Sequence, residues 1–343
     1  MIRIGILGHF ADGKSLNDGQ TIKTKEMYDE LIRNSSLMVS KADTYYMRQS
    51  ATVFIKSLFS LFIHNDKIIV CLSWNGYSKI LPVLVLLNIF FRRQIYDVVI
   101  GGRRHNLICH SKFYRILCSH LKKIYVESRL MQEAYIMCGL TQTSHLTNFK
   151  TLEKQPITRN FHVPLPICTF SRVMEEKGIE DAIEAVKYVN NKFKKTIFTL
   201  TIYGQIEKSY TIKFDELMNS FPTYIRYGDI VEYDKADSIL SKYFLLLFPT
   251  HFYIEGVPGT LIDAAFAGVP AIVTDWNCSK EVIETGYNGK IISMGNNREL
   301  IEALLDAYEN KEKYIIMREM CQSYAEKYKT HNVLHTLIED LKK

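Results

Sequence analysis

The chain has 343 residues, 47% of them hydrophobic and 23% charged. That composition argues against a disordered or fibrous chain, and the length suits two globular domains. Charge is unevenly placed within the net +6: residues 1–165 hold 22 Lys/Arg against 11 Asp/Glu, and residues 166–343 hold 21 against 26.

The opening "IRIGILGHF" reads as a buried strand and has no apolar region followed by a small-residue cleavage site, so secretion is not expected. The loop "ADGKSLNDGQ" follows, with neither GxGxxG nor GxxxxGK[ST]. Gly19, just ahead of a helix predicted over about 21–34, would let the backbone approach a phosphate; a plain flexible loop is the alternative. "KIIVCLSW" is a strand, then "ILPVLVLLNIFF" (Ile80 to Phe91) a helix, short of the roughly 20 residues that span a bilayer. A buried crossover helix is expected there, with a helix that also touches membrane as the alternative. "QIYDVVIGG" is a strand leading to "GGRRH", where a lone histidine among arginines, His105, is expected to be exposed and is given no catalytic role. A helix over about 111–120, strand "KIYVES", helix "RLMQEAYIMCG" closed by Gly139, and a short strand at "SHLTNF" complete this half.

Its basic residues cluster in "FRRQ", "GGRRH", "HSKFYRIL" and "HLKK". No nucleic-acid motif accompanies them, so a solvated basic face with no specific partner is expected, with peripheral contact to an anionic membrane surface as the alternative. The seven cysteines show no CxxC or Cys/His zinc spacing and read as reduced core residues.

The strand–helix alternation restarts after "NFHVPLPI", which reads as the linker. "ICTFSRV", "FTLTIYG", "YFLLLFPT", "PAIVTD" and "NGKIIS" are strands; "GIEDAIEAVKYVNN" is an amphipathic helix with Ile179, Ile183, Val186 and Val189 on one face; two helices end the chain. The expected division is 1–162, 163–325, and a last helix over 326–343 that could cross back to the first domain. Such alternation predicts α/β domains built on doubly wound parallel sheets, with ligands at the carboxyl ends of strands.

Two loops at strand ends carry candidate chemistry. In "SRVMEEKG", Arg172 and Lys177 suit a diphosphate, the one forked and the other a point charge, unless Glu175 and Glu176 neutralise them. In "THFYIEGVPGTLID", a helix starting near Pro258 offers free N–H groups and the positive end of its dipole. Glu255 ahead of it suits sugar hydroxyls and Asp263 within it a ribose diol; a capping Glu255 and a solvated Asp263 are the alternative.

Taken in order, "FSRVMEEKGIEDAIEAV", "LTIYG" and "EGVPGTLIDAAFAGVPAIVTD" resemble the carboxyl-terminal domain of retaining GT-B glycosyltransferases of family 4, over about residues 165–300. That family places Glu, seven residues, Glu after an Arg…Lys pair; Glu255 matches the first Glu, Asp263 stands at the second, and Arg172 and Lys177 match the pair. The amino-terminal half is similar only through "NDGQTIKT", "YVES" and "LTNF", which resemble family members that build bacterial surface polysaccharides. The resemblance implies a GT-B fold of two Rossmann-like domains facing across a cleft, and a nucleoside-diphosphate sugar donor, uridine-based, with no metal or other cofactor. Glu255, Arg172 and Lys177 would be catalytic. The backbone from Gly256 through Val257, Pro258, Gly259 and Thr260 to Leu261 would meet sugar and phosphate, and Asp263 the ribose. The acceptor would be a glycan or lipid-linked glycan at the inner, cytoplasmic face of a bacterial membrane. Alternatives are a GT-B nucleotide-sugar epimerase, a non-catalytic sugar-nucleotide-binding subunit, and a dehydrogenase-like dinucleotide binder, which the missing GxGxxG disfavours.

Overall fold

A computed structural model describes residues 1–14, 18–48 and 50–343. The chain divides into two compact units, Met1–Thr151 with Tyr328–Lys343, and Leu152–Lys327.

The first unit runs β1 (Ile2–Gly8), α1 (Gly19–Ile32), β2 (Leu37–Asp43), α2 (Ala51–His64), β3 (Lys67–Cys71), α3 (Trp74–Phe91), β4 (Gln94–Val98), α4 (Arg104–Cys109), α5 (Lys112–Ser119), β5 (Lys123–Val126), α6 (Arg129–Met137) and β6 (Thr143–His145). The second runs β7 (Leu165–Phe170), α7 (Ile179–Phe193), β8 (Phe198–Tyr203), α8 (Thr211–Asn219), β9 (Ile225–Tyr227), α9 (Ala236–Leu240), β10 (Leu245–Phe248), α10 (Gly259–Phe266), β11 (Ala271–Thr274), α11 (Ser279–Val282), β12 (Gly289–Ile292), α12 (Asn297–Glu309) and α13 (Lys311–Ala325). The last helix, α14 (Thr330–Lys342), belongs to the first unit.

Each unit holds one parallel six-stranded sheet among the described residues, ordered β2-β1-β3-β4-β5-β6 and β12-β11-β10-β7-β8-β9. Central strands such as β3 and β10 are buried along their whole length, as parallel strands covered on both faces must be. In the first unit, Leu58, Leu81 and Met131 from α2, α3 and α6 pack on one face. Met27 and Leu31 of α1 and Leu334, Leu337 and Leu341 of α14 pack on the other. Asp340 holds α14 in place through the Lys123 ammonium and the Tyr125 hydroxyl, the latter at 2.7 Å.

In both sheets the chain winds outward one way, then returns to the middle and winds the other way. The reversal falls between β1 and β3 in the first sheet and between β7 and β10 in the second. The loops leaving the carboxyl ends of β7 and β10 therefore lie at the switch point, the place where such sheets bind ligands.

The structure corrects the pattern reading in several places. Residues 37–64 hold β2 and α2, which the reading passes over: β2 is an edge strand that buries little besides Leu37 and Ala42, so its alternation is faint. α8, β9 and α9 are short and leave no clear pattern in the sequence either. Three helices rather than two follow β12. α3 begins at Trp74, six residues earlier than expected, and runs through Pro82. Its 18 residues reach the length of a membrane span, which the shorter stretch did not. Tyr77, Ile80, Leu81 and Leu84 nevertheless face the core, so it is a covering helix on that side.

Candidate functional site

Past β7 the chain enters a 3-10 turn, Glu175–Lys177, and reaches Gly178 in the left-handed region at φ 66°. A Cβ at Gly178 would stand 1.9 Å from the Pro249 carbonyl oxygen, so only glycine lets the β7 and β10 loops close on each other. Gly204, after β8, has φ 132° and similarly would place a Cβ 1.8 Å from the Ser171 carbonyl oxygen. The contact is then laced by hydrogen bonds: the His251 N–H and the Thr250 hydroxyl both donate to the Glu176 carbonyl, at 2.8 and 3.1 Å. His251 Nε2 also lies 2.5 Å from an Asp181 carboxylate oxygen. Gly178→Ala is expected to destabilise the second unit by about 3 kcal/mol through strain and overpacking. A thermal melt should show the midpoint lowered by about 6–12 °C; an unchanged midpoint would mean the loops do not meet as described.

This closure brings the Lys177 ammonium onto the Glu255 carboxylate, in direct ion-pair contact, with both side chains mostly covered (15% and 17% exposed). The ammonium also lies 5.1 Å from the Phe248 ring centre and 5.9 Å from that of Phe252, near enough for cation–π attraction. Glu255 is held from the far side by β11 and its following turn. The Trp276 indole, itself buried against Phe248, donates to the Gly256 carbonyl at 3.3 Å, and Thr274 donates to the Thr250 carbonyl at 2.5 Å.

Gly256, Pro258, Gly259 and Thr260 are half-buried, while Val257 and Leu261 are buried. No side chain caps the start of α10, whose N-cap is Pro258. The amide ends of Gly259 and Thr260 therefore begin a helix with its positive dipole end uncompensated by a capping carboxylate. Leu261 instead turns its N–H back to the Pro258 carbonyl at 3.1 Å, and Pro258 has no N–H to offer. Asp263 lies one turn in and is 5% exposed, which removes the solvated alternative.

Arg172 is 59% exposed and pairs at 3.1 Å with Glu207, from the loop after β8. Glu175 and Glu176 are therefore not the acids that meet the two cations: Glu207 and Glu255 are, and Glu175 instead lies 3.8 Å from Lys213. Nothing in the spacing marks Glu207 or Trp276, since both arrive from other strand ends.

Gly19 belongs to the first unit, and part of the loop assigned to it, residues 15–17, lies outside the described residues. An Asp18 carboxylate oxygen already accepts from the Gln20 and Thr21 N–H groups at the start of α1, 3.1 Å each, so the amides a phosphate would use are occupied by a like charge. His105 is buried rather than exposed, and burial lowers its proton affinity below the ordinary histidine value. Its neighbour Arg104 is buried too, ion-paired with Asp97, donating to the Leu72 carbonyl at 3.0 Å and stacked 3.4 Å over the Tyr77 ring. Arg104 and His105 are thus core residues, while Gly101 and Arg103 of the same segment stay exposed.

Comparison with known proteins adds three findings. Residues 165–310 match the family model described as glycosyl transferases group 1. The amylovoran biosynthesis glycosyltransferase AmsK of Erwinia amylovora is 23% identical over 212 residues, 60% of this chain and 52% of that protein, so the match takes in only about half the length of that relative. Among solved structures, HepE of Anabaena in complex with UDP and glucose superposes with a TM-score of 0.75 at 14% identity over the whole of both chains. Sucrose-phosphate synthase of Thermosynechococcus elongatus gives 0.76 at 11%, over all of this chain and 98% of that one. At these identities the likeness shows the fold, which is GT-B: two Rossmann-like domains, each on its own parallel sheet.

Proposed function

We propose that this chain transfers a sugar, with retention, from a nucleoside-diphosphate sugar to a glycan or lipid-linked acceptor in building a bacterial surface polysaccharide. The observation that carries the reading is the Lys177–Glu255 ion pair at the point where the second sheet reverses direction. When the donor's anomeric bond breaks, its electron pair goes to the phosphate oxygen and the sugar ring becomes cationic. The pair presents opposite charges in that order, ammonium for the phosphate and carboxylate for the sugar, in a mostly covered site where such charges act strongly. The acceptor oxygen then bonds to the anomeric carbon, and its proton passes to the departing diphosphate.

Arg172 would join Lys177 on the diphosphate. Its present ion pair lies at the surface, with Arg172 59% exposed and Glu207 about a third exposed, and such pairs are worth about 0–1 kcal/mol, so redirecting Arg172 costs little. The uncapped start of α10 would face the same phosphates. Glu255 would hold sugar hydroxyls and Asp263 the ribose. With two cations and a helix end on the diphosphate, the chemistry needs no metal from the protein. A uridine base is supported by the HepE complexes, whose ligands are UDP, glucose and UDP-glucose. A surface-polysaccharide acceptor is supported by the amylovoran relative, and it would keep the protein on the cytoplasmic side of the membrane.

A thermal-shift titration with UDP, GDP, ADP, CMP and NAD, with and without EDTA, tests the donor class. Stabilisation by UDP, equal in EDTA, is the expected result, amounting to about 2.7 kcal/mol at a hundredfold excess over Kd. Stabilisation by NAD alone would overturn it.

A further inference from the structure

The covering helices of the first sheet have an outer face that the donor site does not explain. α2, α3, α4 and α5 contain no Asp or Glu, although 37 of the chain's 343 residues are acidic. Between residues 44 and 122 the only two carboxylates are Asp66, which pairs with Arg3 at 2.8 Å, and Asp97, buried on Arg104. The helices turn large apolar side chains outward at helical spacing: Phe59 and Ile63 on α2, Leu86 and Phe90 on α3, Phe113 and Ile116 on α5. Phe90 is 78% exposed. A covering helix ordinarily puts charged and polar groups on that side.

The three helices are neighbours, so the rows form one surface. Phe59 and Phe62 of α2 lie 6.4 and 5.4 Å from Phe91 of α3. Trp74 of α3 lies 4.9 Å from Tyr114 of α5, whose hydroxyl donates to the Ser78 carbonyl at 3.3 Å. Exposed cations, Lys56, Lys79, Arg92 and Lys112, stand among the apolar rows. A contiguous apolar surface of this kind marks an interaction site. A second copy of the chain is a poor occupant, because a two-fold interface would set these cations against their own copies with no carboxylate to answer them. An anionic bilayer supplies both what the rows need and what the cations need.

We propose that the outer face of α2, α3 and α5 seats on an anionic lipid surface. The apolar side chains enter the boundary between headgroups and acyl chains, and Lys56, Lys79, Arg92 and Lys112 meet lipid phosphates. The proposal deepens the reading of a membrane-side acceptor and rests on it for its purpose, while its observations are separate from the donor site.

The test is flotation of the full chain with vesicles of phosphatidylcholine alone and with about a third phosphatidylglycerol, at low and high salt. The wild type should float with the anionic vesicles at least about tenfold better than with neutral ones, and less well as salt rises. Leu86→Ser/Phe90→Ser and Lys56→Glu/Lys112→Glu should each lower that binding about tenfold or more. All these residues are exposed, so both variants should keep the wild-type melting point and its shift with UDP. A wild type that floats with neither vesicle, or equally with both, overturns the proposal, as do variants that bind like wild type. A concentration-dependent dimer broken by Leu86→Ser/Phe90→Ser, without flotation, would assign the face to a second copy and overturn it as well. Vesicle binding without any shift by UDP would instead defeat the donor reading alone.

Discussion

Glu255→Gln is expected to lower sugar transfer by about 100- to 1,000-fold while UDP binds as tightly as to wild type or a few-fold more tightly. Glutamine keeps the shape and one acceptor oxygen, so the loop set by Trp276 and Thr274 should hold. What disappears is the negative charge beside a sugar that becomes cationic as its bond to phosphate breaks. UDP has no sugar at that position and loses nothing directly. It gains, because in the free chain Glu255 competes with the phosphate for the Lys177 ammonium. Steady-state kinetics with a UDP-sugar panel, alongside UDP titration, separates the two effects. Equal loss of UDP affinity and turnover would mean that Glu255 only shapes the loop.

Lys177→Ala should act on UDP with the opposite sign. A charge-assisted hydrogen bond to a diphosphate is worth about 1.5–3 kcal/mol, so UDP affinity should fall about 10- to 100-fold. Turnover should fall about 100- to 1,000-fold, since the phosphate charge that Lys177 answers is greatest in the transition state. The variant leaves a mostly covered Glu255 without its cation, so a modest loss of stability is also expected and is read from the melting point. In the double variant, Glu255→Gln should restore little UDP affinity, because there is no ammonium left to release. A Lys177→Ala protein that binds UDP as wild type does would place the diphosphate elsewhere.

Much of this site was legible in the chain, for a local reason. Arg172, Lys177, Glu255 and the "GVPGT" turn lie on two loops, each leaving a strand whose apolar run is plain, so alternation alone sets both loops at carboxyl ends. What alternation does not carry is which side chains meet. Lys177 and Glu255 are 78 residues apart, and their meeting depends on a glycine packed against Pro249, a contact no spacing rule contains. Glu175 and Glu176, the neutralising acids that proximity in the chain offers as an alternative, are not the partners; Glu207 and Glu255 come from the loops after β8 and β10. The expectation of an exposed His105 fails for a related reason. Charged residues in a loop ordinarily face water, and only the buried Asp97 one strand end away pulls this segment inward. Edge strands such as β2 and β9 bury too little to leave a clear alternation.

The most direct test is a crystal structure of the chain with UDP. The expected result has the β-phosphate within about 2.7–3.1 Å of the Lys177 ammonium and of an N–H at the start of α10, with the Glu255 carboxylate turned to the space beyond that phosphate. A diphosphate bound at the loop after β1, with Lys177 and Glu255 still joined, would contradict it.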